Sequence, residues 1–173
     1  MRQVFSLKKL PNGIRSKNNS MYAITIQRNI KSNSIPTVAL LRRWARATLM
    51  RHVAAADVTI RITNTNEMTE LNQTWRNKKG PTNVLSFPLY TPTKNDVKPL
   101  LGDIILCAEV VFAEATEQNK TPEQHFAHMV VHGMLHLIGF DHENIIDAEK
   151  MEAEEILILA DLGFENPYLI NKK

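Results

Sequence analysis

The sequence predicts an α+β fold, a single domain in which one small mixed sheet packs with helices, one of them carrying metal ligands. Three observations predict it. Apolar spacing switches repeatedly between the two-residue period of strands and the 3.6-residue period of helices, with no internal repeat and no break dividing two domains. The 173 residues suit one hydrophobic core. Five of the six histidines fall between His125 and His142, in and just after one helical stretch.

Residues 1–20 are polar and basic, with a turn signal at Pro11-Asn12-Gly13, and read as a flexible extension ahead of a domain over 21–168, with a tail at 169–173. They lack the apolar run of a secretory signal. Tyr22 to Gln27 alternates as a strand. Pro36 suits a helix first turn, and Val38, Leu41, Trp44, Ala45 and Leu49 follow at helical spacing, with Arg42, Arg43, Arg46 and Arg51 largely off that stripe. Val58 to Ile62 is a second strand. Asn64 with Glu67 offers a capping box for a helix whose face is Met68, Leu71 and Trp75. Asn83 to Phe87, closed by Pro88, is a short strand. Leu89 to Pro99 reads as a surface loop, and Asp103 to Cys107 as a strand leading into a helix through Val111 and Ala115. Thr121, Pro122 and Gln124 combine an N-cap, a first-turn proline and a capping-box partner, opening a helix that runs to Ile138 and stops at Gly139. Ile146 to Leu162 is an acidic amphipathic helix closed by Gly163.

Apolar residues at 43% and charged residues at 23% exclude a disordered chain. No run approaches the roughly 18 apolar residues of a membrane span, so no membrane partner is expected. The single cysteine, Cys107, excludes an internal disulfide, reads as a buried strand-end residue, and points to the cytoplasm. Charge is uneven. Met1 to Ile60 holds eleven Lys/Arg and one acid, while Gly139 to the end holds nine acids and three lysines. The basic half suits either a polyanionic partner or a solvated helix face.

His125, His128, His132 and His136 lie within about 80° of one another around their helix, and Val130, Met134 and Leu137 point the other way. Residues eight apart rise about 12 Å, so His128 and His136 do not meet at one ion, whereas His132 and His136 can. Gly139 permits a reversal that returns His142, giving a three-nitrogen site, one zinc ion per chain, with a position left for water. His125 and His128 remain as supporting or surface residues, and His52 has no context. The spacing is similar to the zincin metal-binding helix, but zinc proteases place Glu directly after the first histidine, where this chain has Gly133. Metal-assisted hydrolysis fits; peptide hydrolysis does not.

The string His132-Gly-Met-Leu-His-Leu-Ile-Gly-Phe-Asp-His142 resembles the signature of the YbeY family, rRNA maturation endoribonucleases. Leu71-Asn-Gln-Thr-Trp-Arg76, Pro81-Thr-Asn-Val-Leu-Ser-Phe-Pro88, Leu101-Gly-Asp-Ile104 and the acidic last helix agree in the same order, so the resemblance covers about residues 21–168. It implies a metal held by the three histidines, cleavage of single-stranded RNA, 3′-end maturation of the small-subunit rRNA, and ribosome quality control. Its implied partners are ribosomal RNA and the small ribosomal subunit, with ribosomal proteins or a ribosome-assembly GTPase. The family's functional arginine falls on Arg76, and Trp75 stands where tyrosine is usual. Arg76 can hold a phosphate bidentately, or serve a structural salt bridge. Lys78 and Lys79 either extend phosphate contact or belong to a solvated loop. Asp141 either orients an imidazole or caps its turn. A ribosome-associated RNA-binding factor with a structural metal, or a metallohydrolase of another substrate, are the competing readings. The attacking group, water or the RNA's 2′-hydroxyl, and the general base stay open.

Overall fold

The computed structural model describes residues 21–30, 32, 34–89 and 97–169. The basic extension at 1–20, most of the 169–173 tail and the centre of the 89–99 loop lie outside the described residues. In chain order the elements are β1 (Tyr22–Arg28), α1 (Val38–His52), β2 (Ala56–Thr63), α2 (Thr65–Arg76), β3 (Val84–Pro88), β4 (Leu100–Cys107), α3 (Ala108–Glu117), α4 (Pro122–Ile138) and α5 (Ile145–Asp161).

Three helix starts show how local chemistry sets the ends. Pro36 lies outside α1; Thr37 is the cap, its hydroxyl accepting the Leu40 amide at 3.3 Å. Asn64 caps α2 by accepting the Glu67 amide at 2.9 Å. The expected return bond from Glu67 does not form, because its carboxylate is taken by Thr63, Arg61 and Asn29. At α4 the full box is present, with Thr121 accepting from Gln124 at 3.2 Å and Gln124 from Thr121 at 2.8 Å.

The sheet runs β1-β2-β4-β3. β1, β2 and β4 are parallel, and β3 is an antiparallel edge on β4, which makes the sheet mixed as expected. β4 begins earlier than the Asp103 read from sequence. Its Leu100–Gly102 step lies opposite the single step Asp57–Val58, a bulge that resets the alternation. Leu101, Ile104 and Leu106 therefore all face the main core, while Ile105 and Cys107 face the other side. Gly102, at φ 135°, is required there: a Cβ would lie 2.1 Å from the Phe87 carbonyl oxygen.

The main core fills the space between one sheet face and α1 and α4. α2 covers the opposite face through a smaller cluster of Met68, Leu85, Ile105 and Cys107. α4 is the central pillar, packed on β3, β4, α1, α3 and α5. Gly133 sets its closest approach to the sheet, where a Cβ would meet Ile104 and Val84 at 3.1 and 3.2 Å. Burial on α4 goes further than its apolar stripe implies. His125 and His128 are buried beside Phe126, Val130 and Met134, so they are interior residues and not surface ones.

Among the described residues, four of the cations on the basic side have partners within the fold, at its surface. Arg51 on α1 pairs with Glu154 at 2.8 Å and Asp161 at 3.3 Å on α5, and His52 reaches Glu154 at 3.0 Å. Arg42 donates to the Ile24 carbonyl, Arg28 to that of Pro36, and Arg46 sits over the Tyr22 ring.

Candidate metal centre

His132 and His136 sit one turn apart on α4 and point the same way. Gly139 closes the helix in the left-handed conformation, φ 106°, and the Phe140 amide returns to the Leu135 carbonyl at 3.0 Å. Asp141 then accepts the His142 amide at 2.8 Å, so Asp141 caps this turn. The reversal brings His142 back over the helix end. One ligand nitrogen from each of His132, His136 and His142 lies within 4.8 Å of the others, the one such triad among the described residues.

The hydrogen bonds behind the rings decide which nitrogens face inward. His132 Nδ1 lies 2.7 Å from Glu155 Oε1, and His136 Nδ1 lies 3.1 Å from the Phe140 carbonyl oxygen. Both partners accept only, so each Nδ1 carries the proton and each Nε2 keeps a lone pair. Those two Nε2 atoms are 3.1 Å apart. Two lone pairs at that distance repel unless a cation lies between them. Tetrahedral zinc with bonds of about 2.0–2.1 Å places its ligand nitrogens roughly 3.3 Å apart, so the pair fits such an ion. Burial, with His132 and His142 nearby, lowers the His136 pKa to about 4, which keeps the ring neutral and able to coordinate.

Glu155, on α5, is fully buried. It accepts from His132, from His128 Nε2 at 3.3 Å, and from the Tyr168 hydroxyl. Burial alone would raise its pKa, but the hydrogen bonds from His128 and His132 outweigh it and bring the value down to about 2. Burial lowers the His128 pKa against the pull of Glu155. Burial and then Glu155 push that of Tyr168 up. His125, further along α4, pairs with Glu114 at 2.7 Å, which also holds Asn83 at the start of β3.

Arg76 ends α2 and is exposed, with no ion pair among the described residues. A structural salt bridge for it is therefore not seen. Lys78 and Lys79 follow, exposed, in a turn braced by Asn77 in the left-handed conformation and by Asn72, whose side chain donates to the Gly80 carbonyl at 2.8 Å. Trp75 fixes the end of α2 edge-on against Phe87 of β3, 6.0 Å between rings. No hydrogen bond or ion pair joins Arg76, Lys78 or Lys79 to the histidines among the described residues. Sequence reasoning missed Glu155, Tyr168 and the Phe140 carbonyl. For Glu155 a signal was there: with Met151, Ile158 and Leu159 it occupies the buried stripe of α5, a carboxylate where the spacing asks for an apolar residue.

The sequence model of the endoribonuclease YbeY family matches residues 25–163, from β1 through the glycine after α5. The chain belongs to that family. Its histidine triad and Arg76 lie inside the matched range, and Tyr168 lies beyond it. Endoribonuclease YbeY of Methylococcus capsulatus is 51% identical over 150 residues, covering 86% of this chain and 96% of that relative. Endoribonuclease YbeY of Nitrosococcus oceani is 45% identical over 147 residues, covering 84% and 95%. The solution structure of TM1509 from Thermotoga maritima shares the fold at 27% identity, with a TM-score of 0.53 over 81% of this chain and 91% of that one.

Proposed function

We propose that this protein is a zinc-dependent endoribonuclease that cleaves single-stranded ribosomal RNA in the cytoplasm, serving 3′-end maturation of the small-subunit rRNA and ribosome quality control. The observation that carries the reading is the pair of inward Nε2 atoms of His132 and His136, 3.1 Å apart, with both Nδ1 nitrogens committed elsewhere. Membership in the endoribonuclease YbeY family supports the reaction class.

The three histidines would hold one zinc ion as neutral imidazoles. When bound, the ion supplies Lewis acidity and lowers the pKa of water toward about 7. Three uncharged ligands leave the centre with a net charge of +2, which favours an anionic phosphodiester over a neutral amide. Arg76, exposed and unpaired, has its guanidinium available to grip phosphate oxygens in a bidentate hold. Lys78 and Lys79 add positive charge along the strand next to it. Gly133 packs against the sheet and carries no side chain, so the proton acceptor of the zinc proteases is absent from its position. The partners proposed with this activity are the small ribosomal subunit, and ribosomal proteins or a ribosome-assembly GTPase.

The test pairs metal content by mass spectrometry with cleavage of a single-stranded rRNA fragment and its duplex form. About one zinc per chain is expected, with single-strand cleavage lost on chelation and restored by the metal. Bound zinc without cleavage of either RNA would remove the nuclease assignment. Loss of the fold on chelation would make the metal structural.

A further inference from the structure

The element that completes the metal centre comes from the far end of the domain. Glu155 is a fully buried carboxylate with three donors around it: ligand His132 at 2.7 Å, His128 at 3.3 Å, and the Tyr168 hydroxyl. A buried carboxylate among apolar neighbours is costly unless every lone pair has work, and here the donors come from two different segments. His128 stands one turn before His132 on the same helix, its ring edge-on to those of His132 and Tyr168, 6.4 and 5.5 Å away. Tyr168 belongs to the stretch after α5, which is itself tied back by Lys120 donating to the Pro167 carbonyl at 2.7 Å.

We infer that Glu155 is a positioning residue for the metal centre, and that Tyr168 and His128 hold its carboxylate in the orientation that fixes His132. The inference rests on the metal-centre reading above. Its physical content is a tautomer. With Glu155 accepting from Nδ1, the proton of His132 is pinned on that nitrogen, and Nε2 stays free and aimed at His136. Without the carboxylate the ring can rotate about its side-chain bond or move its proton to Nε2, and either change removes one of three ligands. The Phe140 carbonyl does the same for His136 at 3.1 Å. It is a weaker acceptor than a carboxylate, so His132 is the ligand whose support a side-chain change can remove.

The experiment measures zinc affinity by chelator competition, and the visible absorption spectrum of the cobalt-loaded protein, for the full chain and for Glu155→Gln, Tyr168→Phe and His136→Ala. Glu155→Gln keeps the shape but loses the charge, and should weaken zinc binding 10- to 100-fold. Its cobalt spectrum should change as His132 reorients. Tyr168→Phe leaves the carboxylate on His132 and should weaken binding by a smaller factor with the fold unchanged. It keeps the question answerable if Glu155→Gln fails to fold. Parent-like zinc affinity and cobalt spectrum in a folded Glu155→Gln, or in Tyr168→Phe if that is the variant that folds, would overturn the positioning role. The metal centre itself would survive provided His136→Ala loses its zinc. A parent protein that binds neither zinc nor cobalt would overturn both.

Discussion

At the scale of single residues, the ligands and the phosphate-holding arginine answer to different measurements. His136→Ala removes one of two facing nitrogens and should leave purified protein with little zinc; a full equivalent retained would remove His136 from the ligand set. Arg76→Ala should keep its zinc and lose cleavage by roughly 10- to 100-fold, the range expected when a charge-assisted hydrogen bond worth about 1.5–3 kcal/mol is deleted. An unchanged rate would take Arg76 out of the reaction. Acidity acts on the same residues. His136 is held at about 4 against an ordinary 6.5, so below 6.5 the unfolded chain takes up a proton that the native one refuses. Stability therefore falls as the pH drops from about 6.5 to 4. Glu155, at about 2 against 4.5, contributes stability above 4.5 that is lost between 4.5 and 2. Melting of the metal-free protein should drop by several degrees from pH 7 to pH 5 and continue down below it; a flat profile from 7 to 5 would contradict the burial of His136. The histidine triad was legible from spacing because its members are close in the chain. Glu155 was legible only as a carboxylate on the buried stripe of α5; its tie to His132 was not, since that bond spans 23 residues and two helices.

Elements were legible where local chemistry decides and less so where tertiary contacts do. Thr121-Pro122-Glu123-Gln124 opens α4 as read, because all of its bonds lie within four residues. The Asn64 box formed only in half, because Arg61, Thr63 and Asn29 compete for Glu67. β4 was read three residues short. Its bulge depends on pairing with β2, which no local pattern records. Gly102 is the sharpest test of that bulge. Gly102→Ala places a methyl 2.1 Å from the Phe87 carbonyl at a backbone angle that side chains avoid. It should cost about 3 kcal/mol or more and release β3 from the sheet edge. Denaturant unfolding close to that of the parent protein would show the strands can shift apart cheaply.

For the molecule as a whole, the charge asymmetry suited either a polyanionic partner or a solvated helix face, and among the described residues several of the cations concerned are exposed but paired within the fold. Arg51 pairs with α5, Arg42 and Arg28 bond to carbonyls, and the exposed unpaired cations at Arg76, Lys78 and Lys79 gather after α2. RNA affinity should still fall as salt rises, with a slope set by these few contacts. Arg76→Ala should make that slope shallower by about one counterion, and an affinity indifferent to salt would exclude phosphate contact. The tie from Tyr168 through Glu155 to His132 also sets an order of assembly during synthesis. His132, His136 and His142 are synthesised before Glu155 and Tyr168. At about 5–20 residues per second, the nascent chain spends on the order of a few seconds with its three imidazoles made and their brace still missing. The centre thus cannot be complete until the C-terminal end of the domain has been made.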